Sequence, residues 1–291
     1  MKLIGENINV ISNTIGPAMK ERNPEPIQQM AKAAAAAGVD YLDMNIGPAR
    51  RGGDELMEWM VKTVQEVVDL PLSLDTTNVA AIEAGLKVHK GRALINSISL
   101  VRMDEELPLV TKYDADFIGL LWGREGMPRD EDERGMICAE LMMAANEMGI
   151  PNEAIWFDPI ITPASNVDTN QVKPCLEFMS TLQDIAPGGK SAVGLSNVSN
   201  GTPDKLRPYL NRTYLMMLMK FGLHSAIVDI FDAELIAIAR GQRPERVTMI
   251  HKMMDGEEPD IAALDLEEAK YAKSVNVLTG KSLYSHSWLE L

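Results

Sequence analysis

The chain has 291 residues, 46% hydrophobic and 24% charged, which supplies a large core for one or two domains. Its 42 acidic and 28 basic residues leave a formal charge of −14, which argues against a general nucleic-acid binder or an anionic-membrane binder. The longest apolar run, Tyr214–Met219, is far short of the ~18–20 residues of a membrane span. Met1–Val10 lacks the apolar core and cleavage site of a signal peptide, so a cytoplasmic location is expected.

Short apolar runs alternate with helical segments along the chain. Strands are predicted at Lys2–Gly5, Tyr41–Met44, Leu72–Leu74, Ala93–Ile95, Phe117–Leu121, Ile155–Phe157, Ala192–Leu195 and Ala226–Val228. Helices are predicted at Pro26–Ala37, Glu55–Val68, Val79–Leu86, Glu131–Met148 and Lys205–Phe221, and Glu106–Tyr113 is ambiguous because of Pro108. Eight βα units without a low-complexity linker imply an α/β fold, a parallel sheet closed into a (β/α)8 TIM barrel. The open doubly wound alternative in its dinucleotide form should carry GxGxxG after the first strand. Gly5-Glu6-Asn7-Ile8-Asn9 stands there instead. Beyond Ile230 the alternation lapses. Asp229–Arg240 reads as helical, Gly241–Asp260 as a charged, Pro/Gly-punctuated stretch, and Ala262–Leu278 as helical again. We read residues 1–291 as a single domain whose residues 241–291 form a C-terminal extension.

In such barrels chemistry sits where strands run into βα loops. Those positions hold Glu6, Asn7 and Asn9, then Asp43 and Asn45, then Asp75, Thr76 and Asn78, Asn96 and Ser97, Trp122, Asp158, Ser196 and Asn197, and Asp229. No Lys, Cys or His is among them, which disfavours covalent catalysis. Cys138, Cys175 and the four histidines form no ligand cluster, so no metal site is expected, and His89 and His251 read as surface residues. Carboxylates and amides converging on one mouth suit a planar polar heterocycle, because a carboxylate accepts two parallel N–H bonds. The same residue types also cap helices. Asn78, just before Val79, is better read as a cap, and Glu131–Arg134 as a solvated helix start.

Several motifs follow one another at telling spacing: Ile4-Gly5-Glu6-Asn7-Ile8-Asn9, Leu42-Asp43-Met44-Asn45-Ile46-Gly47-Pro48, Leu74-Asp75-Thr76-Thr77-Asn78, Ile95-Asn96-Ser97, Asp158-Pro159 and Gly194-Leu195-Ser196-Asn197-Val198-Ser199. Together they resemble the pterin-binding methyltetrahydrofolate:corrinoid protein methyltransferases, which include the acetogenic enzyme acting on a corrinoid iron–sulfur protein. The resemblance spans roughly residues 1–240, includes Asn211-Arg212-Thr213, and returns at Tyr271–Trp288. It implies a methyltransferase acting between N5 of tetrahydrofolate or methyltetrahydrofolate and cobalt. It also implies pterin contacts from Asp75, Asn96 and Asp158, an N5 contact from Asn197, and Arg207 near the aminobenzoate–glutamate tail. Glu6, Asp43, Asn45 and Ser196 complete the expected folate-binding set. On sequence alone Arg207 is equally a surface partner of Asp204.

None of the four histidines stands in the Asp-x-His-x-x-Gly cobalamin signature, so the corrinoid is expected on a separate protein docking over the mouth. A homodimer is also expected from the resemblance. Dihydropteroate synthases are similar but a poorer match, because Gly47-Pro48-Ala49-Arg50-Arg51 replaces their Ser-Thr-Arg-Pro loop. A synthase of that type and a non-catalytic barrel subunit of a corrinoid complex are the competing readings.

Overall fold

The computed structural model describes residues 1–166 and 171–290; Val167–Asn170 and Leu291 lie outside the described residues. Eight parallel strands close on themselves in chain order, with the first pairing the last. They are β1 (Lys2–Asn9), β2 (Tyr41–Asn45), β3 (Leu72–Asp75), β4 (Leu94–Ile98), β5 (Asp116–Leu120), β6 (Ile155–Asp158), β7 (Lys190–Gly194) and β8 (Ser225–Val228). The expected (β/α)8 barrel is thus the observed fold. β1 runs four residues past its predicted end, with its register against β2 shifting between Gly5 and Ile8. Glu6 and Asn7 therefore belong to the strand itself.

Eleven α-helices are present among the described residues. They are α1 (Ile15–Glu21), α2 (Pro24–Ala37), α3 (Gly53–Gln65), α4 (Val79–Val88), α5 (Met103–Tyr113), α6 (Glu131–Glu147), α7 (Val172–Ile185), α8 (Arg207–Met219), α9 (Ala233–Ala239), α10 (Pro244–Met254) and α11 (Leu266–Leu278). Sequence reasoning missed α1, α7 and, in the C-terminal region, α10. The second was legible: Val172, Cys175, Leu176, Met179 and Leu182 recur at helical spacing and are buried, and Pro174 sits in the first turn, where its lost donor costs nothing. α5 continues through Pro108 because the burial of Leu107, Leu109 and Val110 outweighs one missing backbone bond. Asn78 is the expected cap, its side chain accepting from the Ala80 and Ala81 N–H groups at 3.1 and 3.3 Å.

The C-terminal region departs from expectation. The Gly241–Asp260 stretch holds a regular helix, α10, and the helix expected over Asp229–Arg240 begins only at Ala233. Asp232 caps it, accepting from Leu235 N at 2.9 Å, which leaves Asp229 to end β8. Helices α10 and α11 pack on α8. A capping box at Asp265 and Glu268 starts α11, and buried Trp288 closes the extension through an Nε1 bond to Ser274 Oγ at 3.1 Å. His89 and His251 are half-buried rather than on the surface. His89 Nε2 accepts from Leu72 N at 3.0 Å, and His251 Nε2 lies 2.8 Å from the Met216 carbonyl.

Candidate active site at the barrel mouth

Strand pleating sends alternate side chains into the barrel. Ile4, Leu94, Ile118, Trp156 and Ala192 form one apolar cluster inside it, with Tyr41 and Ile227 packed against them. Two residues further along each strand, on the same face, stand Glu6, Asp43, Asn96, Leu120, Asp158, Gly194 and Asp229. Asp75 joins this layer opposite Asn45 and Asn96 in the β2–β3 and β3–β4 registers. The top interior layer at the C-terminal end is therefore polar and acidic. Among these residues there is no Lys, Cys or His.

At β7 the interior position is a glycine, and Asn197 occupies the room. A Cβ built on Gly194 would lie 3.1 Å from Asn197 Nδ2, so the amide folds back over the strand end from the 3-10 turn Leu195–Ser199. Asn200 Nδ2 donates to Asn197 Oδ1 at 3.3 Å, which turns the Asn197 amino group toward the mouth. Asn197 is nonetheless solvent-exposed.

The acids fall into three sets. Asp43, Asn45, Asp75 and Asn96 are one network: Ser73 Oγ and Asn96 Nδ2 donate to Asp43 Oδ1 at 2.6 and 3.0 Å, Asn45 Nδ2 donates to Asp75 Oδ2, and Gly47 N donates to Asn45 Oδ1 at 3.0 Å. Asp43 is 3% exposed and lies beneath this group, spending its acceptor capacity internally. Burial raises both carboxyls. The Asp43 charge adds to burial at Asp75 and holds it well above the usual carboxylate range. Asp158 stands across the barrel, its Oδ1 accepting from Ile160 N at 2.8 Å, and burial pushes it up to about 6.

Glu6 completes the set beside β7. Ser196 Oγ donates to its Oε1 at 2.7 Å. Burial pushes Glu6 up to about 7, opposed by the Ser196 bond and the Arg207 guanidinium and reinforced by Asp229 and Asp43. Arg207 does not pair with Asp204. Its Nε donates to Ser199 Oγ at 3.1 Å, and the side chain lines a cleft of about 390 Å³ with Glu6, Ser196, Asn211 and Asp229. A larger hollow of about 480 Å³ lies outside the mouth, between the loop after β5 and α6. Its Arg124 and Arg129 are tied to Glu140 and Glu133. We place the site at the mouth, where the acids converge.

Sequence reasoning missed two arginines behind the acids. Arg102, at the start of α5, donates from Nη2 to the Ser97 carbonyl at 3.0 Å and lies 3.2 Å from the fully buried Glu106, which burial pushes up to about 7. Arg134, expected on a solvated helix start, is completely buried behind Asp158. Both stand in charged stretches that read as surface, and no local signal separates them.

Residues 5–229, from the interior of β1 to the residue after β8, match the pterin binding enzyme family. The chain belongs to that family. Two curated relatives carry methyl-transfer names. One is the methylcorrinoid:tetrahydrofolate methyltransferase of Eubacterium limosum, 27% identical over 233 residues, covering 79% of this chain and 85% of that protein. The other is the methionine synthase of Mycobacterium leprae, 25% identical over 238 residues, which cover 78% of this chain but only 20% of the longer protein. Among solved structures, a Xanthomonas albilineans dihydropteroate synthase with 4-aminobenzoic acid superposes with a TM-score of 0.62 at 17% identity, over 84% of this chain and 92% of that one. That likeness is one of fold. In this pterin-binding enzyme the helices α9, α10 and α11 lie outside the family match.

Proposed function

We propose that the protein is a methyltransferase moving a methyl group between N5 of tetrahydrofolate and the cobalt of a corrinoid carried by a separate protein. One observation carries the reading. Acid and amide side chains fill the top interior layer of the barrel, without a covalent nucleophile, in a chain similar over most of its length to a methylcorrinoid:tetrahydrofolate methyltransferase. In this reading Asp75 and Asp158 accept the ring N–H and exocyclic amine of a pterin, Asn96 adds an amide contact, and Arg207, which lines the adjoining cleft, meets an anionic tail. Asn45 holds Asp75 and Asp43 holds Asn96 through the bonds above, while Ser196 and Glu6, bonded to each other, line the adjoining cleft with Arg207.

In the methyltetrahydrofolate direction cobalt(I) attacks the methyl carbon, the C–N bond breaks, and its electron pair passes to N5. That nitrogen is a poor leaving group unless protonated or given a donor. The Asn197 amino group, steered to the mouth by Asn200, supplies a hydrogen bond that strengthens as the pair develops. By analogy with oxyanion donors it is worth about 2–4 kcal/mol in the transition state. The same contacts orient N5 as nucleophile in the reverse direction.

The rim fits a docking partner. Ile11 after β1, Val101 after β4, Trp122 after β5 and Phe231 after β8 are exposed apolar side chains at this end of the barrel. The test is to mix the protein with methyltetrahydrofolate and a cobalt(I) corrinoid protein. Loss of the cobalt(I) absorbance matched by methylcobalt(III) is the expected result. A protein that binds folate yet leaves cobalt(I) unchanged would be a scaffold instead.

A further inference from the structure

The loop that follows β6 is held in an unusual shape. Ile160, a β-branched residue, has φ +64°, a left-handed conformation that such side chains rarely adopt and that surrounding structure must impose. Three groups impose it. Asp158 Oδ1 accepts from Ile160 N at 2.8 Å. Cys175 Sγ in α7 lies 3.3 Å from the Ile160 carbonyl. Arg134 Nε donates to the Pro159 carbonyl at 2.8 Å. Both terminal nitrogens of the Arg134 guanidinium are engaged too, with Nη1 donating to the Asp130 carbonyl and Nη2 to Gln171 Oε1, both at 2.9 Å. None of these acceptors is a carboxylate. A fully buried arginine bonded only to neutral oxygens is costly unless its charge is balanced nearby; of the two acids that feel it, Glu133 is already paired with Arg129, which leaves Asp158.

We infer that Arg134 is a positioning residue for Asp158. It pins the Pro159–Ile160 turn that aims the carboxyl into the mouth, and it supplies the buried positive charge that lets this carboxyl ionise when a pterin donor arrives. The inference rests on the proposed folate site but concerns the protein's own resting state. The other titratable groups packed about the turn are Cys175 and Tyr214. Burial pushes the Cys175 thiol up to about 11 and the Tyr214 phenol well above its ordinary value, so both are neutral at pH 7. Asp130 uses its carboxylate to cap α6, accepting from Glu133 N at 2.9 Å. The guanidinium is the cation facing Asp158 among the described residues. Burial raises the carboxyl and Arg134 lowers it, so without the arginine it would titrate higher still.

The test follows the Asp158 side-chain carboxyl by ¹³C NMR across pH, assigned with Asp158→Asn, in the protein without ligand. Arg134→Met should move its midpoint upward by about one pH unit, and Arg134→Lys should restore most of it by returning the charge. Should Arg134→Met fail to fold, Gln171→Glu decides: a carboxylate against the guanidinium offsets its charge from a half-buried position and should also raise the midpoint. Tetrahydrofolate affinity at pH 6.5 should fall about threefold in whichever variant raises the midpoint, because a one-unit rise from about 6 leaves about a third as much of the carboxyl ionised. An unchanged Asp158 midpoint in folded Arg134→Met or in Gln171→Glu overturns the inference. Failure of the wild-type protein to bind tetrahydrofolate would instead remove the folate reading, leaving the carboxyl titration to decide on Arg134.

Discussion

At the floor of the barrel Asp116 accepts from Arg92 Nε at 2.7 Å and from Trp156 Nε1 at 3.1 Å, with Lys190 3.6 Å away. Asp40, at the same end, is partly buried, but the Leu3 N–H, Arg240 and Lys2 more than compensate and hold it below the usual carboxylate range. At the mouth Glu6, Asp43, Asp75 and Asp158 meet hydroxyls, amides and backbone N–H groups, and burial raises every one of them. The floor pairs its acids with cations and seals itself with Trp156, which stacks edge-on against Tyr41 and His224 at 5.3 and 4.8 Å. None of these four acids is in a direct ion pair; Arg207, Arg102 and Arg134 act on Glu6, Asp75 and Asp158 only from behind. Acids without counter-ions destabilise a fold, so their concentration at one end marks where a ligand with donors belongs.

Substitutions at the two ends should separate binding from stability. Asp75→Ala should weaken tetrahydrofolate binding by more than about 100-fold in equilibrium titration while the fold persists, because two charge-assisted bonds are lost together. Wild-type affinity in that variant would mean that Asp75 serves the Asn45 network alone. Asn197→Ala should cut turnover by tens to a few hundred-fold with a smaller change in folate affinity, which single-turnover and binding measurements distinguish. Asp116→Ala, at the floor, should do the opposite. It strands Trp156 Nε1 and Arg92 and should cost about 2 kcal/mol in urea unfolding, yet leave folate affinity unchanged. An affinity change there would break the contrast between the ends.

The smallest effect concerns pH. Glu6 binds its proton more tightly folded than unfolded, so the folded state holds the extra proton between the ordinary glutamate value of 4.5 and about 7. Its contribution to stability is present below the lower value and is lost as pH rises through the upper one. Glu6→Gln, whose amide oxygen can still accept from Ser196, should therefore raise the melting temperature at pH 8 by about 3 °C and change it little at pH 4. Folate affinity should run the other way and tighten as pH rises from 5 to 8, because Asp75 and Asp158 accept ring donors best when ionised. Isothermal titration across that range checks the sign.

Much of this was legible along the chain. The eight apolar runs predicted the barrel because each strand is buried on both faces and needs a continuous hydrophobic stretch. The polar residues that end those runs predicted which side chains share the mouth. Helix α10 was hidden by the Pro and Gly residues that bound it, and Arg134 by the acidic neighbours Glu131, Asp132 and Glu133.

What the sequence determined by itself was the order of elements and the parity of each strand, since alternation is a local property of extended backbone. Only the closed barrel decided the rest. It set which acids lie together at the mouth, that Asn197 fills the room left by Gly194, and that an arginine in a charged run is buried against the Pro159 carbonyl. These depend on distances between residues far apart in the chain, and on the loss of water around them, which no window of sequence contains.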